Sequence, residues 1–270
     1  MKIKTKILVD RLAKTISEWP GVECICLNEA ALPDTLDMYF TLILDVYYGV
    51  NKDGSIPDSD ERCRLYGDDV AAFESSEKFS HGKSGESKDR FLINDLPVHL
   101  EFKSVKLIEE RVTIADSKLD SFHLIKDSGT YGFYRLTNGE LIFSRSGWIN
   151  GIRRRIANLD NEFWRLMRNA HQSKMEHFLM DLGAAVIQND EFNCLISEAG
   201  FIKSACLTLF CINRCFEPSH KAYYEQVLKL PVQPESFRAA FTTFISRENS
   251  SGMKRSFELA KLLARGIINL

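Results

Sequence analysis

Strand-like alternation stops at Gly147. From there to Leu270 the apolar residues recur only at helical spacing, in segments near 148–158, 160–183, 185–197, 200–215, 219–229, 234–246 and 251–268. Pro218, Pro231, Pro234 and Asn249-Ser250-Ser251-Gly252 supply the breaks. Before Gly147, helical and alternating segments are mixed. A change of period of this kind in a chain of 270 residues predicts an α/β domain over 1–145 followed by an all-helical domain over 146–270.

In the first half, Leu8, Leu12 and Ile16 with Val9, Ala13 and Trp19 form a helical stripe that Pro20-Gly21 ends, and Val22 to Leu27 reads as a strand. Met38 to Tyr48 alternates strictly. Met38, Phe40, Leu42, Leu44, Val46 and Tyr48 share one face, and Tyr39, Thr41, Ile43, Asp45 and Tyr47 share the other. Ser59 to about Phe73 reads as helix, and Ser75 to Arg90, polar and rich in Ser, Lys and Gly, as a mobile surface loop. Leu96 to Val105 alternates again, with His99, Glu101 and Lys103 opposite Val98, Leu100 and Phe102. A helix over Val105 to Leu119 follows, then a hairpin of Tyr131 to Leu136 and Leu141 to Ser144 around Thr137-Asn138-Gly139.

The stretch Asn28 to Tyr48, NEAALPDTLDMYFTLILDVYY, resembles the active-site strand of the nucleotidyltransferase superfamily (the DNA polymerase beta type). The similar branch has a kanamycin-nucleotidyltransferase-like helical domain and reads G-S-x-A-L-G-x-x-D-x-Y-S-D-x-D-L-x-V-Y-Y. With one extra residue before Asp37, the positions Ala31, Leu32, Asp37, Tyr39, Leu44, Val46, Tyr47 and Tyr48 match it. A second stretch, Leu207 to Pro234, fits the branch pattern L-F-x-L-N-x-x-Y-x-P-x-x-K at Leu209, Phe210, Ile212, Asn213, Phe216, Pro218 and Lys221, and then at Leu230, Pro231 and Pro234. The resemblance implies a mixed sheet with helices followed by a helical bundle. Its chemistry is magnesium-dependent transfer of a nucleoside monophosphate from a nucleoside triphosphate to a small-molecule hydroxyl, with loss of pyrophosphate.

The departures fall on the chemistry. Asn28-Glu29 stands where the Gly-Ser turn belongs, and Thr41 and Ile43 stand where the two metal-holding carboxylates belong. Neither offers an anionic oxygen to magnesium, which is bound through one or two carboxylates besides phosphate and water. Glu29 also brings negative charge to the place of the triphosphate. Two carboxylates remain as candidate catalytic and metal residues: Asp45, on the strand face of Thr41 and Ile43, and Glu101, which resembles the third carboxylate contributed by a neighbouring strand. The alternative is an internal role, with Asp45 hydrogen-bonded at a strand end and Glu101 paired with Lys103. Asn28, Glu29 and Thr41 are the nucleotide-binding positions that the resemblance implies.

In the helical half Asn213, Arg214 and Lys221 are the candidate substrate-binding residues, because Arg grips phosphate bidentately and Lys adds a point charge. Asn213 and Arg214 equally suit the end of a helix. Arg153-Arg154-Arg155 reads as a solvated face or a phosphate contact, and Arg165-x5-His171, the spacing of a nuclease pair, as an exposed helix face. Glu176-His177 lacks the second His of a zinc helix.

Residues 146–270 carry 16 Lys or Arg against 12 Asp or Glu, a net of +4, and residues 1–145 carry 19 against 25, a net of −6. Neither half is basic enough to make nucleic acid the main partner. Cys24, Cys26, Cys63, Cys194, Cys206, Cys211 and Cys215 are odd in number and set among apolar residues, as buried thiols in a reducing compartment are. With no apolar run of about 20 residues and an amphipathic N-terminus in place of a signal peptide, the chain is expected to be cytoplasmic and not membrane-bound. Two functional classes remain: a transferase weakened or silenced by its altered site, and a noncatalytic nucleotide-binding, anion-binding or protein-interaction module.

Overall fold

The computed structural model describes residues 3–28, 41–49, 56–80, 83–125, 130–246 and 252–270. It has the class expected from the sequence, a mixed sheet with helices followed by an all-helical part. Two compact units are present: Met1–Ile125 with Gly132–Asn158, and Lys126–Tyr131 with Leu159–Leu270. The α/β unit therefore extends past residue 145 to take in one further helix.

The α/β unit runs α1 (Ile3–Ser17), β1 (Val22–Leu27), β2 (Leu42–Tyr48), α2 (Ser59–Tyr66), β3 (Val70–Ser80), β4 (Lys83–Ile93), β5 (Leu96–Ser104), α3 (Val105–Ser117), α4 (Tyr131–Asn138), β6 (Glu140–Ser144) and α5 (Trp148–Ala157). The strands form one six-stranded sheet in the order β3-β4-β5-β2-β1-β6. All neighbours are antiparallel except β2 and β5, which run parallel. The alternation read from the sequence sorts the two faces of the sheet. Leu42, Leu44 and Val46 of β2 and Val98, Leu100 and Phe102 of β5 join Val9, Leu12, Ile16 and Trp19 in one core. Ile43, Asp45, Tyr47, His99, Glu101 and Lys103 fall on the opposite face.

Three segments differ from the sequence reading. Within the expected loop Ser75 to Arg90, the described residues 75–80 and 83–90 are strand, belonging to β3 and β4 and paired through Glu74↔Arg90, Ser75↔Asp89 and Ser76↔Lys88. A ribbon polar on both faces lacks the alternation that marks a strand, so pairing with β5 decides its conformation. The helix from Ser59 stops at Tyr66 because Gly67, at φ +117°, turns the chain where a side chain is disfavoured. Tyr131–Asn138 is the helix α4, with Phe133, Arg135 and Leu136 buried, and not a hairpin strand. Its aromatic residues suit a strand, but tertiary packing overrides that preference. At its end Gly139 donates its N–H to the Arg135 carbonyl at 3.0 Å, and a Cβ there would lie 2.9 Å from that oxygen.

On the core face, α2 is held by a buried ion pair. Arg62 donates from Nε and Nη2 to the two oxygens of Asp89 at 2.8 Å each, from Nη1 to the Pro57 carbonyl and from Nη2 to Ser75. Tyr66 donates to Asp89 Oδ2 at 2.6 Å, and the guanidinium lies 4.9 Å from the Phe102 ring centroid. Asp89 is fully buried and Arg62 is 3% exposed.

The helical unit contains α6 (Asn161–Gln188), α7 (Glu191–Ile212), α8 (Tyr223–Leu228), α9 (Phe237–Ser246) and α10 (Met253–Ile268). The sequence reading separates 185–197 from 200–215, yet α7 runs through 191–212 without a break. Glycine is needed at position 200 because the Phe178 ring of α6 fills the space of a Cβ, with ring atoms 2.4 to 2.6 Å from where one would stand. The helix is also apolar and long enough to cross a membrane. More than half of its most apolar stretch is buried, and Phe201, Ala205, Cys206, Leu209 and Phe210 lie in the core of the helical unit.

Asp89→Ala strands the Arg62 charge in the core and is expected to cost about 3 to 5 kcal/mol in chemical denaturation. The double variant Arg62→Leu/Asp89→Ala should cost less than the two single changes added together.

Candidate functional site

Parallel pairing of β2 with β5 sets Asp45 directly beside Glu101, and antiparallel pairing of β1 with β2 sets Cys26 on its other side. Asp45 is fully buried, in the middle of its strand and not at an end. A carboxylate sealed in this way needs positive charge close by, and Arg135 and Lys103 supply it, while Lys88 meets the neighbouring Glu101.

Arg135 of α4 donates from Nε to Asp45 Oδ2 at 3.0 Å and from Nη2 to Asp45 Oδ1, and from Nη1 it reaches Glu101 Oε2 at 2.7 Å. Lys103, on the same strand face as Glu101, places Nζ 3.0 Å from Asp45 Oδ1 and 3.6 Å from Glu101 Oε2. Lys88 of β4, opposite Glu101 in the antiparallel register, donates to Glu101 Oε1 at 3.0 Å. Each of the four carboxylate oxygens thus meets at least one cationic nitrogen. The Tyr47 ring centroid lies 5.9 Å from Lys103 Nζ and 5.7 Å from the Trp148 ring centroid, and walls the cluster on one side.

The electrostatics follow from this packing. Burial pushes the Glu101 carboxyl up, but Arg135, then Lys103 and Lys88, outweigh it and hold the group well below the usual carboxylate range. His99 responds in the opposite sense to its own cationic neighbours. Its half-buried imidazole is pushed down to about 4 by burial, and then by Lys88 and Arg90, so it is neutral at physiological pH.

This arrangement does not fit the magnesium implied by the resemblance. The ion takes oxygen ligands at about 2.0 to 2.1 Å in a near-octahedral shell. The oxygens of Asp45 and Glu101 are engaged by a guanidinium and two ammonium groups, which a divalent ion would have to displace. Ile43, half-buried beside His99 in the parallel register, and Thr41, just before β2, add no anionic oxygen. Among the described residues no group of three His, Cys, Asp or Glu side chains is placed to hold a metal.

The other sequence candidates lie as follows. Asn28 is buried at the end of β1, and its backbone N–H is committed to the Ile43 carbonyl at 2.9 Å. Glu29, and Ala31, Leu32, Asp37 and Tyr39 of the matched motif, lie outside the described residues. Asn213 caps α7: its Nδ2 donates to the Leu209 and Val232 carbonyls and its Oδ1 accepts from the Val232 N–H. Arg214, at φ +52°, and Lys221 are exposed, and no hydrogen bond or ion pair joins them to Asn213 among the described residues.

Arg153 and Arg155 are not a solvated face. Arg153 donates to the Leu136 and Gly139 carbonyls, tying α5 to the end of α4. Arg155 binds Asp116 and Thr113 of α3 and pairs with Glu109. Nor do Arg165 and His171 share an exposed face: Arg165 pairs with Glu162 at the surface, while His171 is 4% exposed.

The sequence reading missed Arg135. The available signal was a lone arginine in the apolar run Phe133 to Leu136, on the same helical turn as the residues that bury it.

The sequence matches no protein-family model and no curated protein. Among solved structures the chain is similar to a nucleotidyltransferase-like protein from Exiguobacterium sibiricum 255-15, at 11% identity and a TM-score of 0.49, over 97% of this chain and 74% of that one.

The depressed Glu101 carboxyl sets a pH window. Its ion pairs stabilise the fold fully above the unfolded pKa of about 4.3, and that stabilisation is lost as pH falls below it towards the lower folded value. The melting-temperature gap between the wild type and Glu101→Gln should therefore be constant above about pH 5.5 and shrink below about pH 4. A gap that persists unchanged to pH 3 would show that Glu101 is not held by these cations.

Proposed function

We propose that the chain is a noncatalytic module on a nucleotidyltransferase-like framework, in which protein cations have replaced the divalent ion and the ligand is a nucleotide or similar anion. One observation carries this reading: the Arg135 guanidinium takes both oxygens of Asp45 and one of Glu101. Nucleotidyl transfer depends chiefly on metal neutralisation and alignment of the phosphates. A carboxylate pair saturated by fixed guanidinium and ammonium groups cannot recruit that metal without first losing its own partners.

The framework itself is supported by the sequence motif, whose described matching positions Leu44, Val46, Tyr47 and Tyr48 lie on β2, and by the neighbouring parallel strand that brings Glu101 to Asp45. The preference for an anion rests on charge. Lys88, Lys103 and Arg135 exceed Asp45 and Glu101 by one positive charge. Arg90, exposed and opposite His99 in the register, adds another.

Incubation of the purified protein with magnesium and each α-labelled nucleoside triphosphate should transfer no label, and ATP should bind equally well in magnesium and in EDTA. Turnover near 1 per second, within the ordinary enzymatic range of about 1 to 1,000 per second, would overturn the noncatalytic reading. Binding seen only with metal present would overturn the replacement of the ion. Arg135→Met is expected to destabilise the fold by about 3 to 5 kcal/mol, as breaking a buried pair does. It should also confer Mn2+ binding, detectable by electron paramagnetic resonance, that the wild type lacks.

A further inference from the structure

The helical unit holds a pocket of about 300 Å3 that none of the sequence motifs accounts for. Its walls are Ile202 and Cys206 from α7, Tyr223 and Tyr224 from α8, and Phe241 and Ile245 from α9. Tyr224 and Phe241 stack at 5.9 Å, and Tyr223 stands edge-on to Phe210 at 5.6 Å. The Tyr223 hydroxyl is already committed to Glu217. Cys206 is 4% exposed and its thiol is pushed up to about 12 by burial, so it is a neutral wall.

An ammonium and an imidazole complete the lining, Lys203 and His220. His220 lies 3.9 Å from Glu217. Lys203 is exposed and has no ion-pair or hydrogen-bond partner among the described residues. It lies one helical turn before Cys206 on α7, at an offset of three residues, and lines the same pocket. An open apolar recess with one uncommitted ammonium at its edge selects for a molecule with an apolar body and a single anionic end. At the liquid-water share of about 30 Å3 per heavy atom, the volume admits roughly ten heavy atoms.

We propose that this pocket binds a small amphiphilic carboxylate, with its chain or ring between Tyr223, Tyr224 and Phe241 and its carboxylate on Lys203. The site lies wholly within the helical unit and does not depend on the reading of Asp45 and Glu101.

Calorimetric titration of the 270-residue protein with octanoate, octan-1-ol and octylamine tests it. Octanoate should bind saturably and about tenfold more tightly than the alcohol, the increment of one partly exposed charged hydrogen bond, with octylamine weakest. Lys203→Met should remove the difference between acid and alcohol and leave alcohol binding intact. Ile245→Trp, a change at the 43%-exposed rim that tests the cavity without burdening the core, should abolish binding of both. Failure of octanoate to saturate, equal affinity for acid and alcohol, or an acid preference that survives Lys203→Met would each overturn the proposal. So would self-association lost in Ile245→Trp without octanoate binding, which would make the surface a protein contact instead.

Discussion

A carboxylate with no access to water, in the middle of a sheet, must be met by positive charge, and Asp45 is in that position. Much of the α/β unit is arranged around that requirement. The parallel register of β2 and β5 adds Glu101 and so doubles the negative charge, and the alternation of β5 returns Lys103 to the same face. The rest comes from a helix far along the chain: Arg135 reaches Asp45 across 90 residues of sequence. For it to do so, residues 131–138 must be helical, and the chain must then turn at Gly139 into β6, beside β1. Arg153 secures that turn by binding the carbonyls of Leu136 and Gly139.

The sheet therefore carries an arginine–aspartate pair on each face. Asp89 with Arg62 lies on the side packed by α1 and α2, and Asp45 with Arg135 lies on the other. The two pairs differ in composition. Asp89 receives a fork from Arg62, a tyrosine hydroxyl and a serine hydroxyl, one cation for one anion in a closed set. The Asp45 cluster holds three cations for two anions. The first fastens a helix to a sheet. The second keeps surplus positive charge on the face that carries Ile43 and His99.

The sequence was informative where side-chain period and burial agree. The two faces of β2 and β5 follow from alternation alone, and so does the shared face of Asp45 and Glu101, although their direct adjacency requires the register. The helical unit was legible from its apolar spacing. What escaped were choices made by partners distant in sequence. Tyr131 to Leu136 reads as a strand until Arg135 is known to need a place beside Asp45. Ser75 to Arg90 reads as a loop until β5 offers it an edge to pair with. His171 reads as exposed because a histidine on a long helix carries no sign of which neighbour will cover it. In each case local preference was weak and a long-range contact decided.

The bridging guanidinium works as a lock. A variant that dismisses Arg135 or Lys103 leaves the buried Asp45 and the part-buried Glu101 with too few positive partners. It would be several kcal/mol poorer in stability, as broken buried pairs are, out of a typical total of about 5 to 15 kcal/mol. Substitutions around the cluster are thus open to this fold, while substitutions within it run uphill through misfolding.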